Sequence, residues 1–574
     1  REERVAEGAG EQEATALLQQ LRTRSSQARR AKGVSRAAAF KGGGWFAFSM
    51  HAALVSGLLA AFPGGAPGQL EELFREYGLL SSNSGGSWYA ASLVYSEWFV
   101  ELTGQLAAEP QEAEATFKDK WIAGLLQVTD LGNRTEDPSC DVEKVIQHYL
   151  NQNETRRRGL SDRQQQNLQA LLPALWEGRL TWDIFVTTML ERASRVPDGA
   201  TLGSKVQPWA QDKEWLACVS VPTPNYDDRV LTEKFNSVWS YAPENDTGNE
   251  IHMGMRSDSV DEWPFYLPAK FSASLGGSGS SPPHPFCADG GCFGLRGVYG
   301  QGSFDRKRKV FGREDHRETQ SIGAVAQSAF DSELPLGSVA ASSSAFAGAV
   351  TLTKKLASSL AKDCVDVSTW VSNAPGGHSY GIASDVRGSA FATDGENFDD
   401  FADRSVLTVV DGAYTENTGV AWAVAAGASE VVAFAGPDGL VELFAGGSEK
   451  FGVCPGCALY FQIFETSADD AAAQFEAFES LALPSDSFQF LTGIKLGTIR
   501  TKTLDNQWFG ISSGSDVTLH VLDVESEKLR IGGSFTFNSF DDYATLVGEI
   551  MITMTAPGNV EKVQKALAEW FQVS

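Results

Sequence analysis

The chain has 574 residues, which allows about three or four ordinary domains or one large catalytic domain. Its residues are 42% hydrophobic and 21% charged, a globular balance that excludes a mostly disordered or fibrous protein. The 73 acidic and 47 basic residues give a net charge of −26. That charge argues against nucleic acid as a partner and against docking on anionic lipid by charge alone.

Residues 1–35 are charged and helix-prone, and they are predicted to form an N-terminal helical extension outside the core. Because the chain begins at Arg1 rather than Met, the sequence leaves open whether a targeting segment has been removed. It therefore does not predict the cellular compartment. Three glycosylation sequons, at Asn133, Asn153 and Asn245, mildly favour a secretory route.

The next segment reads as two strand–turn–helix units. Residues 37–40 are predicted to form a strand that leads through a glycine triplet into a helix over residues 45–62. This helix is shorter than the ~20 apolar residues of a membrane span and contains polar side chains, so we expect a buried helix and no transmembrane segment. A short helix over 69–77 follows, and then a strand from Leu79 that runs into a second glycine-rich turn and another helix.

Residues 105–300 are predicted to be an insertion or cap, mainly helical at first, with a Gly/Ser/Pro-rich loop at 272–303. The run RKRK at 306–309 is the strongest local basic patch, interpreted as a solvated loop with contact to lipid headgroups as the minority view.

The last part returns to a regular pattern. A strand over 405–410, a helix over 420–426 and a strand over 430–434 indicate a parallel sheet. Residues 488–574 are predicted as a β-rich C-terminal part with one final helix over 560–571. The fold class expected from these elements is α/β, with a central, mostly parallel sheet flanked by helices and large helical or loop insertions.

Ser84 is the candidate nucleophile. It lies between a strand and a helix, and its neighbours Ser82, Gly85 and Gly86 are small, as a tight strand-to-helix turn requires. The amides at the start of the helix favour developing negative charge. The triplet Gly42, Gly43 and Gly44 offers backbone N–H groups for an oxyanion hole. Either glycine motif alone is also explained as an ordinary tight turn.

Asp411 is the candidate base, because it follows a very apolar strand and a carboxylate there is partly desolvated. The alternative is an Asp-Gly turn with a solvated side chain. His378 is the one histidine in a suitable loop, but it precedes Asp411, whereas α/β-hydrolases run Ser, acid, His. A Ser84–Asp411 pair is therefore favoured over a triad.

Seven cysteines in a long chain do not indicate a disulfide scaffold. The pair Cys454 and Cys457, in CPGC, reads as a redox motif, half a zinc site or a local disulfide, and no second pair supports zinc.

Three blocks resemble the catalytic core of cytosolic phospholipase A2 and of the fungal lysophospholipases (phospholipase B), in the patatin-like superfamily. They are FKGGGWFAFSM with LLSSNSGGSWYAASLVYS, LGSVAASSSAFAGAV around residues 342–346, and VVDGAYTENTGV. Ser84 falls on the family's nucleophile and Asp411 on its catalytic aspartate. The residues after the nucleophile that match are Gly85, Ser87, Trp88 and Tyr89.

The resemblance implies a serine acyl hydrolase that cleaves phospholipid or lysophospholipid esters through an acyl-serine, with no metal and no organic cofactor. It implies an oxyanion hole among Gly42, Gly43, Gly44 and Gly85, and a lipid as the partner, at a membrane surface or as a monomer. Because the blocks span residues 36–435, we expect one catalytic domain over 36–574. From position and composition alone, the helical insertion and the Gly/Ser/Pro-rich loop at 272–291 are hypothesised to form a lid over an acyl pocket.

Two residues depart from the family pattern. Ser82 stands where the family has glycine, and Phe46 stands where the phospholipases have an arginine that assists phosphate recognition. Two alternatives therefore stay open: a non-catalytic scaffold or lipid-binding protein, and an acyltransferase that uses the same pair. The sequence predicts no oligomeric state.

Overall fold

A computed structural model of the chain describes the residues after 34 in stretches. These are 35–64, 66–128, 182–222, 266–275, 292–296, 300–304, 308–310, 313–315, 318–322, 325–329, 335–345, 372–373, 380–381, 405–406, 408–435, 440, 443–444, 462–506, 509, 511–526 and 540–573. Several sequence predictions lie outside them: residues 1–34, the three sequons, the CPGC motif, His378 and most of the Gly/Ser/Pro-rich loop.

A mixed sheet with flanking helices forms the core of the described part. Its strands are β1 (Arg36–Phe40), β2 (Leu79–Asn83), β3 (Glu214–Pro222), β4 (Tyr266–Ser274), β5 (Cys292–Arg296), β6 (Val325–Ala329), β7 (Ser372–Asn373), β8 (Thr408–Asp411), β9 (Glu430–Phe434), β10 (Glu479–Leu481), β11 (Gly493–Lys502) and β12 (Asp516–Glu525). The order is β6-β5-β4-β3-β2-β1-β9-β12-β11-β10, and β8 pairs with both β3 and β7.

The α/β expectation is confirmed in this coarse form, but the sheet is only partly parallel. Strands β3, β2, β1, β9 and β12 run parallel in its centre. The strands on both sides are antiparallel. The reason is visible between β11 and β12, because their connection has no crossover helix, which a parallel pair would need.

The helices are α1 (Gly44–Ala60), α2 (Leu70–Leu73), α3 (Gly85–Tyr95), α4 (Glu97–Ala108), α5 (Ala113–Phe117), α6 (Ala123–Val128), α7 (Trp182–Arg192), α8 (Leu336–Ser343), α9 (Val420–Ala425), α10 (Ala468–Glu476), α11 (Asp541–Thr555) and α12 (Asn559–Trp570). A π-helical turn (Lys118–Ile122) joins α5 to α6, and short 3₁₀ turns cover Pro110–Glu112, Pro208–Ala210 and Gly412–Tyr414. Three two-stranded sheets pair Gly300–Phe304 with Glu318–Ile322, Arg308–Val310 with Arg313–Asp315, and Tyr380–Gly381 with Ser405–Val406. No helix in the described part is both long enough and apolar enough to cross a membrane.

The predicted helical insertion also builds the sheet, which corrects the expectation for residues 105–300. Strand β3 lies parallel to β2, and its residues from Trp215 to Val219 are all buried. A strand buried on both faces shows no polar alternation, so its pattern does not distinguish it from a buried helix. β4 likewise runs into the start of the segment predicted to be a loop, residues 272–303, and β5 lies within that segment.

The C-terminal part is less β-rich than predicted. It has the long strands β11 and β12, but α11 precedes the final helix, and α11 packs against α1. The α11 sequence is rich in Thr and Ile, which favour strands, yet residues such as Leu546 and Ile550 are fully buried by tertiary contacts. Packing therefore decides the conformation here over local propensity.

Helix α1 is buried on all sides and carries two hydroxyls, of Ser49 and Ser56, that are costly to bury because neither has a hydrogen-bond partner among the described residues. Ser49 is 0% exposed, and its Oγ has no hydrogen-bond partner among the described residues. We expect Ser49→Ala to raise the free energy of unfolding by ~1 kcal/mol, because an unsatisfied buried hydroxyl is removed with little change in shape. Thermal and urea unfolding measure this effect.

The control is Ser92→Ala in α3, where the Oγ donates to Trp88 O at 2.8 Å and lies at hydrogen-bond distance, 2.7 Å, from Ser194 Oγ. This change should destabilise the fold. Equal losses of stability in Ser49→Ala and Ser92→Ala would show that the Ser49 hydroxyl does make a hydrogen bond.

Candidate active site

Ser84 forms a sharp turn between β2 and α3. Its backbone has φ 49° and ψ −122°, in the region where an L side chain is strained by ~1–3 kcal/mol. Hydrogen bonds hold the turn: Ser84 O accepts from Ser87 N at 2.8 Å, and Ser84 N donates to Ser343 Oγ at 2.9 Å. The local geometry is that of a serine presented at the top of a sheet.

Asp411 meets Ser84 across 327 positions of sequence. Ser84 Oγ donates to Asp411 Oδ2 at 2.8 Å, and Ala413 N donates to Asp411 Oδ1 at 2.8 Å. Both side chains are buried, with 5% of Ser84 and 1% of Asp411 exposed. The structure thus brings the two predicted residues into direct contact, in an environment where a carboxylate interacts strongly with its neighbours.

The strand that carries Asp411 runs opposite to the predicted direction. β8 is antiparallel to β3, with Asp411 opposite Val219, whereas Asn83 at the end of β2 lies opposite Cys218. Asp411 therefore reaches the carboxyl end of β2 by approaching from beyond the sheet. Asp411 is the last residue of β8, but the parallel sheet inferred from residues 405–434 is wrong for β8.

Burial raises the pKa of Asp411 from 3.8 to about 7. The hydrogen bonds from Ala413 and Ser84, and the Asn83 amide, act in the opposite direction because they favour the charged carboxylate. A base with a pKa near neutrality is well matched to proton transfer near pH 7.

The two glycine-rich turns pack against each other. A side chain on Gly85 would collide with the carbonyl oxygen of Gly44, so only glycine allows this approach. Gly43 precedes α1 with φ 135°, a conformation that favours glycine. The start of α1 therefore lies directly beside the start of α3.

The glycine amides differ in what they can still bind. Gly42 N donates to Asn417 O at 2.8 Å, so Gly42 does not offer the free N–H that was predicted for it. Gly44 and Gly85 are the first residues of α1 and α3, where an amide has no intrahelical acceptor. Neither these amides nor that of Gly43 has an acceptor in the described part of the chain. Three of the four predicted oxyanion donors remain.

A second buried carboxylate, which the sequence reasoning missed, anchors the loop after Asp411. Glu416 accepts from Thr418 N at 2.5 Å, from Gly419 N at 2.7 Å and from the Thr418 hydroxyl. Burial raises the pKa of Glu416 from 4.5 to about 7. The next residue, Asn417, accepts from Asn83 Nδ2 at 3.0 Å. An acidic residue just before a helix was the available signal, because such residues bind the first amides of helices.

Ser82 and Phe46, the two residues that depart from the pattern of the resembling family, each have a polar side chain of another residue beside them. Trp215 Nε1 donates to Ser82 Oγ at 2.8 Å, so the extra hydroxyl at Ser82 is satisfied rather than disruptive. Beside Phe46, the ammonium of Lys41 lies 5.9 Å from the ring centroid.

The described residues contain no group of three or more His, Cys, Asp and Glu side chains placed to hold a metal ion. Comparisons with protein-family models, with curated proteins and with solved structures found no match to the chain.

Proposed function

We propose that the chain is a serine acyl hydrolase that cleaves fatty-acyl esters of phospholipids or lysophospholipids. The observation that carries this proposal is the 2.8 Å hydrogen bond from Ser84 Oγ to a buried Asp411, at a strained strand-to-helix turn. The acyl-ester chemistry follows from a serine with a base beside it and free helix amides around it. The lipid substrate rests on the resemblance of the sequence blocks.

In the first half of the proposed reaction, Asp411 accepts the proton of Ser84 Oγ as the oxygen attacks the ester carbonyl. The negative charge on the carbonyl oxygen is stabilised by the amides of Gly43, Gly44 and Gly85. One such donor typically contributes about 2.7–4 kcal/mol to lowering the barrier. The tetrahedral intermediate then collapses, the acyl–Ser84 ester forms, and the leaving alcohol takes the proton from Asp411.

In the second half, water attacks the acyl–Ser84 ester. Asp411 accepts a proton from the water and returns it to Ser84 Oγ as the fatty acid leaves. The same amides stabilise the second oxyanion. An alcohol in place of water would give the acyltransferase, which uses the same residues.

A pair rather than a triad is favoured by the histidines in the described part. His51 is buried, its Nε2 donates to Lys41 O at 2.9 Å, and burial lowers its pKa from 6.5 to about 3. His520 contacts Thr498 and Glu430. Neither histidine bonds to Ser84 or Asp411, so among the described residues the Asp411 carboxylate is the base beside Ser84.

Reaction with a fluorophosphonate probe tests the proposal. We expect one covalent adduct per chain, mapped by peptide mass spectrometry to the peptide that contains Ser84. We also expect release of fatty acid from lysophosphatidylcholine micelles. A protein that is folded by circular dichroism yet takes up no probe would refute the hydrolase and favour the non-catalytic alternative.

A further inference from the structure

A continuous chain of buried hydroxyl groups runs behind Ser84. Trp215 Nε1 contacts Ser82 Oγ at 2.8 Å, Ser82 Oγ contacts Ser87 Oγ at 2.9 Å, and Ser87 Oγ contacts Ser343 Oγ at 2.8 Å. The chain ends where Ser343 Oγ donates to Cys218 O at 2.7 Å. It links β2, β3, α3 and the end of α8, and all three hydroxyls are 0% exposed.

The proton direction along this chain follows from its two ends. An indole N–H can only donate and a carbonyl oxygen can only accept, while each hydroxyl has one proton. The proton of Ser343 goes to Cys218 O, so Ser343 accepts from Ser87, and Ser87 in turn accepts from Ser82. A longer contact of 3.2 Å from Ser82 Oγ to Leu216 O is the minor alternative for the first proton.

This direction leaves Ser343 Oγ as an acceptor for one more donor, and that donor is Ser84 N at 2.9 Å. The Ser84 amide lies between a strand and a helix, where it belongs to neither set of regular hydrogen bonds. An amide that is buried there needs an acceptor. Ser343 supplies it from a position 259 residues away in sequence.

We infer that Ser343 is a positioning residue for Ser84, an inference that rests on the proposed function. By accepting the Ser84 N–H, Ser343 fixes the left-handed backbone that directs Ser84 Oγ to Asp411. The chain from Trp215 through Ser82 fixes the orientation of the Ser343 hydroxyl. The hydroxyl at Ser82, where the family has glycine, is thus part of the support for the turn.

The test compares Ser343→Ala with Ser342→Ala in the same helix. Ser342 Oγ bonds only locally, to Ser338 O at 2.7 Å, so its loss should leave the rate unchanged. In Ser343→Ala the Ser84 turn loses its acceptor, and we expect kcat and the maximal rate constant of fluorophosphonate labelling to fall on the order of 100-fold. The KM should stay unchanged. Ser343→Thr retains the hydroxyl and should recover most of the rate.

Rate constants are normalised to the active sites titrated with the probe, because a merely structural role would lower the titre and leave the rate constant per site unchanged. If Ser343→Ala fails to fold, Ser87→Ala serves instead. Ser87→Ala keeps the contact from Ser343 to Ser84 N but removes the donor that orients Ser343. It should reduce the labelling rate constant by roughly tenfold. This is less than the effect of Ser343→Ala, because the Ser84 amide keeps its acceptor and only the orientation of the Ser343 hydroxyl is lost.

Two failures are distinguishable. A wild-type protein that the probe does not label refutes the proposed function. A labelled wild type together with a Ser343→Ala variant that reacts at the wild-type rate constant overturns the positioning role and leaves the hydrolase in place. A rate in Ser343→Thr as low as in Ser343→Ala, in a variant with unchanged melting temperature, also contradicts it.

Discussion

Ser84→Ala is expected to lower the rate of ester hydrolysis by at least about 10,000-fold and to abolish fluorophosphonate labelling. Removing a serine nucleophile costs a factor of this order or more, because no other group forms the acyl intermediate. The residual rate comes from binding and from the oxyanion donors alone. Fatty-acid release from lysophosphatidylcholine, followed by titration, measures the loss.

Ser49→Ala is the matched control, since it makes the same change at a buried serine of the neighbouring helix. It should retain full activity. The wild type, Ser84→Ala and Ser49→Ala are each labelled with a fluorescent fluorophosphonate and compared on gels. Circular dichroism spectra of the same three proteins distinguish a loss of reactivity from a loss of folding. Persistent labelling of Ser84→Ala would move the nucleophile to another serine and contradict the site.

The fold of Ser84→Ala should remain intact for a physical reason. Alanine at φ 49° carries the same strain as serine, and the backbone hydrogen bonds from Ser87, Trp88 and Ser84 N do not involve the deleted hydroxyl. The variant does remove one hydrogen bond to Asp411. The pKa of Asp411 should therefore rise above that of the wild type, because this bond favours its charged form.

The sequence predicted best those elements whose signals are local. β1, α1, β2 and α3 follow from apolar runs punctuated by glycine, and the bounds of β1 and α1 agree with the expected ones within a few residues. The residues of β3 and α11, in contrast, have apolar patterns that do not distinguish a helix from a strand. Whether they form a helix or a strand is decided by the neighbours on which they pack, and those neighbours lie far away in sequence.

The same distinction separates the parts of the site. Ser84 and Asp411 could be identified from the sequence because each stands at the end of an apolar strand beside glycine. Ser343 and Glu416 were not identified, because their roles depend on partners that only the fold supplies: the Ser84 amide for Ser343, and the turn before α9 for Glu416. The hydrogen bond from Gly42 to Asn417 also connects distant segments, so sequence could not show that this amide is occupied.

Asp411→Asn should lower kcat by about 10,000-fold while the Ser84 turn stays in place, a loss of the size seen when the aspartate of a Ser-His-Asp triad is replaced by asparagine. The amide Oδ1 can still accept from Ala413 N, but the Nδ2 group faces Ser84 Oγ as a donor. Ser84 then loses its proton acceptor. Fluorophosphonate labelling and fatty-acid release measure the loss.

The pH dependence identifies the group that acts. Because the pKa of Asp411 is raised to about 7, the wild-type labelling rate should rise with pH through a midpoint near that value and level off above it. Asp411→Asn should lack this rise. A wild-type midpoint near 4 would mean that Asp411 is solvated and would contradict the buried geometry.

As the pH rises, the free energy of unfolding of the wild type should fall while its activity increases, and Asp411→Asn should not show this fall. The folded-state pKa of Asp411, about 7, lies above the ordinary value of 3.8 for an aspartate, so between these values the folded protein holds a proton that the unfolded chain has released. The wild type therefore loses stability as pH rises through this window, on the order of 4 kcal/mol in total. Asp411→Asn escapes this loss, so its free energy of unfolding relative to the wild type should grow from about pH 4 to about pH 8. Ser49→Ala, which changes no titrating group, is the control, and a trend equal in both variants would remove Asp411 as its source.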